Sequence, residues 1–363
     1  MLLREIIEFK NGKKKPSTKG QIPIYGGNGI LDYTDQSNYD DENLIVGRVG
    51  AYCGCVYSHY GRCWVSDNAI VGKVLDGNDF YYCYYLLKRL NLNARHVGSG
   101  QPLMTQEILN SIEVDLPDYD TQKKIGKILK NIDDKIELNN KINNNLHDLA
   151  EQQFNEIYSK GTPEKMEKLW FNVSTGSRPK GGAQKSGIPS IGAEKIERFG
   201  IYNYSSEKYI SEEYYEKLKN GKLNSGDVLL YKDGAYTGKV SMCLNGFPHN
   251  KAAVNEHVFI LNTENNWAQN YLYFTLCNKD NREMLHRLAS SKAAQPGLNQ
   301  VEIKSIEINI AEKEYIINFE NIVKPIMEKI VLNSLENKKL ADLRDTLLPK
   351  LMNGKIDLDN IDI

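Results

Sequence analysis

The segment between Asp120 and Ser159 constrains the fold of this chain more than any other part of its sequence. Its apolar residues recur mostly three or four positions apart, which is the spacing of a helix with one apolar stripe. Gly161 and Pro163 follow directly, and these residue types commonly end helices. Such a helix spans roughly 60 Å. It is too long for an ordinary globular core and therefore needs a partner of similar length.

The partner lies in the same chain, 194 positions further along. At this shift Leu138-Asn139 falls on Leu332-Asn333, and the match holds without a gap from residue 101 to residue 154. An ungapped match of this length indicates an internal duplication.

The duplication predicts two long helices, at 118–160 and from 312 onward, that pair antiparallel in a coiled-coil-like arrangement. Pro325 is predicted to kink or break the second helix, and Pro349 with Gly354 to end it. Asn139 and Asn333 are expected to meet near the centre of the pair and fix its register, the alternative being that both are exposed. The expected interface residues are Ile128, Ile132, Ile136, Leu138, Asn139, Ile322, Ile326, Ile330, Leu332 and Asn333.

The remaining sequence predicts two similar β-rich domains, at 1–117 and 161–311. In each, short strand-like segments precede a short aromatic helix, and the Gly-Ala-Tyr of residues 50–52 recurs at 234–236. The offset between the copies grows along the chain, which indicates loop insertions in the second. The fold class is therefore α+β, with two β-rich domains, two long helices, a pseudo-two-fold duplication and a tail within 312–363.

Composition narrows the classes of protein. The net charge is −1, so any nucleic-acid binding must depend on local basic patches. No apolar run approaches the length of a membrane helix, and no signal peptide begins the sequence, so we expect a cytoplasmic protein without membrane contact. Cys53, Cys55 and Cys63 lack the paired spacing of a zinc site. We interpret them as reduced, structural thiols and expect no bound metal.

Three motifs give the sequence a specific resemblance. Leu116-Pro117 followed by Gln122 and Ile125 resembles the start of the first conserved helix in specificity (S) subunits of Type I restriction–modification systems. Residues 347–356, LLPKLMNGKI, are very similar to the closing motif of that family. Residues 176–179, GSRP, resemble the opening of a target-recognition domain. The resemblance covers nearly the whole chain.

The resemblance implies a non-catalytic subunit that gives a Type I complex its DNA sequence specificity. Each recognition domain would read one half of a bipartite double-stranded DNA target, and the helices would set the spacing and dock methyltransferase (M) subunits. No cofactor would bind this chain. S-adenosylmethionine would bind the M subunits, and ATP and Mg²⁺ the restriction (R) subunits.

Basic, polar and aromatic side chains in the paired loops are candidate DNA contacts, because such groups read base edges or anchor phosphates. For any single residue an ordinary surface or structural role stays open, and the tyrosines also suit half-buried strand positions. In the first domain the candidates are Lys13, Lys14, Lys15, Lys19, Tyr25, Asn28, Arg48, Tyr52, Arg62, Asp67, Asn68 and Gln101. In the second they are Arg178, Lys180, Lys185, Lys195, Lys232, Tyr236, Lys239, Lys251, Asn255, Lys292 and Gln295.

Two hypotheses from other classes stay open. One is a coiled-coil scaffold whose β-rich domains bind proteins and not DNA. The other is a single-chain methyltransferase or nuclease with degenerate motifs. The sequence contains no Pro-Pro of the kind that holds a flipped adenine, no His-x-x-x-His pair and no Gly-x-Ser-x-Gly elbow. Without a catalytic constellation, recognition is favoured over chemistry.

Overall fold

The computed structural model describes residues 1–98, 100–169, 171–234, 236–291 and 297–358. Its contacts divide the chain into two compact units. The first holds residues 1–135 and the chain from Leu340 onward, and the second holds Ile136–Lys339. Each unit therefore combines one β-rich domain with parts of both long helices.

The first unit contains two sheets. One is antiparallel with the order β1-β7-β4-β5, and the other has the order β3-β2-β6, in which β2 pairs antiparallel with β3 and parallel with β6. The strands are β1 Ile7–Asn11, β2 Ile22–Gly26, β3 Gly29–Thr34, β4 Glu42–Gly47, β5 Val56–Tyr60, β6 Trp64–Val65 and β7 Ala69–Val74. The helices are α1 Phe80–Arg89, α2 Gln106–Asn110 and the first part of α3 Tyr119–Tyr158.

The second unit repeats this arrangement. Its strands are β8 Thr162–Lys165, β9 Phe171–Thr175, β10 Ile188–Ile191, β11 Tyr209–Ile210, β12 Val228–Tyr231, β13 Val240–Met242, β14 Ala253–Val254, β15 Val258–Thr263 and β16 Glu307–Ile310. Its helices are α4 Glu212–Lys217, α5 Gln269–Cys277, α6 Lys279–Ser290, α7 Gln300–Ser305 and most of α8 Lys313–Met352. The sheets have the orders β9-β15-β12-β13, β11-β10-β14 and β16-β8.

The predicted duplication is confirmed strand by strand. The order β1-β7-β4-β5 recurs as β9-β15-β12-β13, and β3-β2-β6 recurs as β11-β10-β14. The two long helices, α3 and α8, have 40 residues each and begin and end 194 positions apart. β16 has no counterpart strand in the described part of the first unit, where the corresponding segment forms a single β-bridge between Leu2 and Glu113. The α+β fold class is therefore confirmed.

Each unit has its own apolar core, to which a short aromatic helix contributes several buried side chains. In the first unit Tyr82 and Tyr85 of α1 are fully buried beside Leu129 of α3. In the second, Phe274 of α5 lies 5.8 Å from Phe154 of α3, between ring centroids. A buried aromatic side chain of this kind contributes roughly 2–3 kcal/mol by removal of apolar area from water. The long helices are thus held by the domain that each part contacts.

The same structural position in the two units is capped by carboxylates from different elements. In the first unit, Asp79 caps α1 by accepting from Tyr82 N at 2.8 Å. Gly126 of α3 leaves room, because a Cβ there would overlap Asp79 Oδ1. In the second unit the residue before α5 is Ala268, which provides no side-chain cap.

Glu320 of α8, at the position that corresponds to Gly126, supplies the missing carboxylate. Its Oε1 accepts from Tyr271 N and its Oε2 from Asn270 Nδ2, both at 2.8 Å. A carboxylate at a helix N-terminus satisfies unpaired backbone donors and interacts favourably with the helix dipole. Both units therefore cap this helix with a carboxylate. The carboxylate belongs to the β-rich domain in the first unit and to the long helix α8 in the second.

The second long helix does not break at Pro325 as predicted. α8 runs through Pro325 and Pro349, and Pro325 is exposed. It ends with a Schellman arrangement, in which Gly354 N donates to Leu351 O at 3.1 Å and Lys355 N donates to Lys350 O at 2.9 Å. Neighbouring turns and packing thus maintain the helix where each proline removes one backbone hydrogen bond.

Near Asn139 and Asn143, within the second unit, the contact between α3 and α8 is polar. Asn139 Nδ2 donates to Asn337 Oδ1 at 2.9 Å, and Asn333 Nδ2 donates to Asn143 Oδ1 at 2.8 Å. The partner numbers on α8 fall as those on α3 rise, so the segments are antiparallel. The 194 shift converts one pair into the other. Asn139 and Asn333 are both buried, so the alternative of two exposed residues is wrong, but they bond to other asparagines and not to each other.

The other expected interface residues divide into two groups. Ile330 is fully buried, and Ile128, Ile132, Ile136 and Ile326 are half-buried. Leu138, Ile322 and Leu332 are exposed by 52%, 52% and 62%, so their assignment to a buried interface is wrong. Leu138 and Leu332 directly precede the buried asparagines, and one residue along a helix rotates a side chain by about 100°. None of the helices within the described ranges is long and apolar enough to span a membrane.

The cap at α5 predicts a specific pH dependence of stability. Burial raises the pKa of Glu320 to about 7 from a usual 4.5. The folded state therefore holds this proton more tightly than the unfolded state does. The resulting contribution to the free energy of unfolding is complete below pH 4.5 and is lost as the pH rises through 7. We expect Glu320→Gln, which cannot ionise, to reduce the fall in Tm between pH 5 and pH 8 measured by calorimetry. Glu314→Gln, an exposed site on the same helix, should keep the wild-type profile. Parallel profiles for the wild type and Glu320→Gln would contradict this expectation.

Candidate nucleic-acid interface

In the first unit, the β4–β5 loop (residues 48–55) is fixed by backbone hydrogen bonds to two other loops. Arg48 N donates to Asn68 O at 2.9 Å, and Arg48 O accepts from Met104 N at 2.8 Å. Gly50 N donates to Pro102 O at 3.0 Å. Gly50 has a φ of +73°, a conformation that favours glycine. Three chain segments, near residues 48–52, 66–68 and 101–104, therefore meet at one surface.

Several predicted contacts lie together at this surface, which we call the first loop cluster. Arg48 donates from Nη1 to Asp67 O at 3.2 Å, while Tyr52 is 48% exposed. Lys13 joins them because its backbone N donates to Val65 O at 3.0 Å. The members of the cluster are Lys13, Asn28, Arg48, Tyr52, Asp67, Asn68 and Gln101, of which all but Arg48 are exposed.

The other first-domain candidates lie elsewhere. Lys15 and Lys19 are paired with Asp32, at 2.8 and 3.4 Å, and Arg62 donates to Ser37 Oγ at 3.2 Å. Lys14 is exposed beside Lys13.

Tyr25 is wrong as a DNA contact. It lies on the central strand β2 and is buried, with its hydroxyl 3.2 Å from His59 Nδ1. Burial raises the pKa of Tyr25 to about 12. Its side chain is therefore a neutral part of the core.

In the second unit, the β12–β13 loop (residues 232–239) is held by the same two backbone bonds. Lys232 N donates to His257 O at 3.1 Å, and Lys232 O accepts from Leu298 N at 2.8 Å. Asp233 forms an isolated antiparallel β-bridge with Gly297, and Val49 forms the corresponding β-bridge with Leu103. These atoms correspond one for one to those around Arg48, so the loop framework is duplicated together with the fold.

The side chains on this duplicated framework differ. Asp233 Oδ2 lies 3.0 Å from Lys232 Nζ and 3.1 Å from His257 Nδ1. Arg178 Nε lies 2.9 Å from Glu256 Oε1. These five residues form the second loop cluster. Asp233, Glu256 and His257 were not predicted from the sequence. Glu256 and His257 precede β15 as Asp67 and Asn68 precede β7, so an alignment of these two strand starts identifies them.

The remaining second-domain candidates are scattered. Lys180 and Lys185 are exposed, Lys195 donates to Asn203 O at 2.9 Å, and Lys251 pairs with Glu216 at 3.0 Å. Lys239 lies 5.1 Å from the ring centroid of Tyr236 and 2.5 Å from Glu197. Lys292 and Gln295 lie outside the described residues.

Asn255 is wrong as a DNA contact. It is buried, and its Oδ1 accepts from His257 N at 2.9 Å. The side chain therefore shapes the turn before β15 and does not face solvent.

Within the described ranges, one side-chain group has metal-ligand chemistry, namely His147, Asp148 and Glu151 of α3. Burial lowers the pKa of His147 to about 4, and its Nε2 lies 3.1 Å from Tyr273 Oη. Arg198, Lys239 and Arg282 line the adjoining cavity, and their positive charge opposes binding of a cation. The group is better explained as packing between α3 and α5.

Three cysteines of the first unit belong to its cores, whereas Cys55 is half-buried. Cys53, Cys63 and Cys83 are fully buried, and burial raises the pKa of Cys63 and Cys83 to about 12. They are neutral thiols that pack as small apolar groups.

The chain is similar in sequence and fold to proteins of one known family. Residues 1–148 match the family model described as Type I restriction modification DNA specificity domain. The EcoprrI specificity subunit of Escherichia coli is 32% identical over 111 residues, covering 31% of this chain and 28% of that protein. The MjaIX specificity subunit of Methanocaldococcus jannaschii is 24% identical, covering 99% of this chain and 93% of that protein.

The solved S subunit from M. genitalium shares the fold, with a TM-score of 0.63 at 16% identity over 97% of this chain and 95% of that one. Residues 1–148 therefore match the Type I DNA specificity domain, and nearly the whole chain is similar to a specificity subunit of that system.

The loop before β2 provides a test of the specificity subunit's phosphate contacts. Lys13 and Lys14 are exposed and make no ion pair within the described residues, whereas Lys15 and Lys19 are paired with Asp32. We expect Lys13→Ala with Lys14→Ala to weaken DNA binding on all sequences alike and to flatten its salt dependence, as loss of phosphate contacts does. Fluorescence anisotropy at several salt concentrations measures both effects.

The matched control is Lys15→Ala with Lys19→Ala, whose charges are already partly neutralised. Its effect should be smaller. A changed target sequence with unchanged affinity in the Lys13/Lys14 variant would contradict the assignment.

Proposed function

We propose that this specificity subunit reads a bipartite double-stranded DNA target, with one half-site for each β-rich domain. One observation carries the proposal. The same backbone hydrogen bonds hold Arg48 in one unit and Lys232 in the other, while the side chains around them differ. Sequence readout needs a fixed backbone that presents chosen side chains to base edges, with phosphate contacts to position them.

The two loop clusters differ in a way that suits different half-sites. The first offers amide groups at Asn28, Asn68 and Gln101, and amides pair well with adenine. The second offers Lys232 and His257 together with the carboxylates of Asp233 and Glu256, groups that suit guanine and cytosine edges. The proposed target is therefore asymmetric.

The long helices are proposed to set the unread spacer between the half-sites and to dock M subunits. Buried hydrogen bonds such as Asn139–Asn337 and Asn143–Asn333 support a fixed helix register, because a shift would leave buried amides unpaired.

We further propose that the chain acts within a cytoplasmic complex and leaves chemistry to its partners. Adenine methylation would use S-adenosylmethionine in the M subunits, and translocation and cleavage would use ATP and Mg²⁺ in R subunits. The chain itself would bind no cofactor and no membrane.

A domain exchange tests the proposal. We expect replacement of residues 161–311 by the corresponding domain of another specificity subunit to change one half of the methylated target and to leave the other half unaltered. The measurement is methylome sequencing of cells that carry the exchanged subunit with its M subunits. Exchange of residues 1–117 is the matched control and should change only the opposite half. Changes in both halves, or no specific methylation with the wild-type chain, would contradict the proposal and favour a protein-interaction scaffold.

The helix pair provides a second test. Asn139 and Asn337 bond across the pair, so an insertion in one helix alone would move these contacts out of register. Four residues inserted after Lys135 and four after Lys339, both helix-forming, would lengthen the pair by about 6 Å. We expect a spacer longer by about two base pairs, at roughly 3.4 Å each, with both half-sites unchanged. Methylome sequencing of the double insertion decides this, and an unchanged spacer would show that the helices do not set it.

A further inference from the structure

The second unit carries a helix that the first lacks. The first unit has only a turn at Leu92–Arg95 between α1 and α2, whereas the second has the 12-residue α6 between α5 and α7. The duplication therefore does not require α6, and its surface is specific to the second recognition domain.

One face of α6 is basic and exposed. Lys279, Arg282, His286 and Arg287 all line the same open cavity of about 770 Å³. Their spacing of three, seven and eight positions places them along one helix face, over about 12 Å. Among the residues that the structure describes, Lys279, Arg282 and Arg287 form no ion pair with a carboxylate. Their charge is therefore available to a partner.

The opposite wall of the cavity belongs to the β12–β13 loop. Tyr236, Thr237 and Lys239 line it, and Tyr236 is 63% exposed. A Cβ built at Gly238 would lie 3.8 Å from Arg282 O, so α6 packs directly against this loop. The same loop carries Lys232 of the second loop cluster, so the loop that packs against α6 also belongs to that cluster.

The chemistry of the lining favours phosphate over base edges. The described residues of the lining include no Asn or Gln amide, and the unpaired cations Lys279, Arg282 and Arg287 outnumber the carboxylates of Glu151 and Glu283. Arg binds phosphate oxygens through two parallel N–H donors. A face about 12 Å long exceeds one phosphate group and suits consecutive phosphates of a nucleic-acid strand.

We propose that the basic face of α6 binds the phosphodiester backbone of duplex DNA beside the half-site of the second domain. The proposal rests on the proposed function and adds an asymmetry to it. The second domain contributes sequence-independent affinity through α6 that the first domain cannot supply through the same position.

The test uses the complete chain assembled with M subunits, with duplex DNA that contains the target. Arg282→Gln with Arg287→Gln removes two exposed charges without affecting the core. Each lost phosphate contact lowers the slope of log K against log salt by about 0.9, so the variant should show a slope smaller by roughly 1.8. Between 50 and 200 mM salt the wild type should then lose about ten times more affinity than the variant.

A control variant with the opposite expected effect on DNA affinity changes a residue of the same helix. Glu283→Gln removes a negative charge from the same cavity and should strengthen binding. The methylated sequence should stay the same in both variants, because phosphate contacts carry no base information.

The outcomes separate the two proposals. If the wild-type complex binds its target specifically but Arg282→Gln with Arg287→Gln keeps wild-type affinity and slope, the α6 proposal is overturned while the proposed function stands. If the wild-type complex shows no specific DNA binding, the proposed function itself fails. Loss of M-subunit assembly at unchanged DNA affinity, measured by size-exclusion chromatography, would assign the face to a protein partner and also overturn the proposal. Binding of ATP to this face, detected by calorimetry on the wild type and lost in the variant, with unchanged DNA affinity, would do so as well.

Discussion

The fold depends on a single constraint, which is that a 40-residue helix cannot bury its own apolar stripe. α3 meets this constraint in two ways along its length. Near its start Ile125 and Leu129 lie in the core of the first unit, and near its end Ala150 and Phe154 lie in the core of the second. Between them the buried residues are polar, namely Asn139, Asn143 and His147. The helix is therefore stabilised by apolar packing at its ends and by paired amides at its centre.

The duplication shows which features the architecture needs and which it tolerates. A carboxylate at the N-terminus of α1 or α5 is kept, but it comes from Asp79 in one unit and from Glu320 in the other. Gly126 and Ala268 are the complementary adjustments, since two carboxylates would compete for the same donors. The loop framework around Arg48 and Lys232 is kept as well, whereas the side chains on it are free to differ. For a specificity subunit this separation allows a target to change without a change of fold.

Charge is organised locally and not across the whole chain. With a net charge of −1, the chain has no overall attraction for DNA. Many exposed lysines are neutralised by neighbours, such as Lys15 by Asp32 and Lys251 by Glu216. Among the described residues, Lys13 and Lys14 before β2 and Lys279, Arg282 and Arg287 on α6 are exposed cations without such a neighbour. A lysine in a basic run is therefore available to phosphate only where no neighbouring carboxylate pairs with it.

The sequence by itself determined the two long helices, the duplicated β-rich domains and the resemblance to Type I specificity subunits. These features are local or periodic, so they are written in the spacing of residues and in short motifs such as residues 347–356. The sequence also named Arg48, Asn68 and Gln101 as candidate DNA contacts, but in the same list as residues that the fold places elsewhere. It could not decide which side of α3 faces inward, because a rotation of about 100° separates the exposed Leu138 from the buried Asn139.

Only the tertiary structure decided the roles that depend on partners distant in sequence. Tyr25 and Asn255 have the chemistry of DNA contacts, yet neighbouring strands bury both. Pro325 has the chemistry of a helix break, yet packing carries α8 through it. Glu320 became a helix cap, and Asp233, Glu256 and His257 joined a cluster, through contacts between segments that no local pattern connects. Long-range packing selects among the conformations and exposures that a local sequence permits, and for that reason these assignments had to come from the fold.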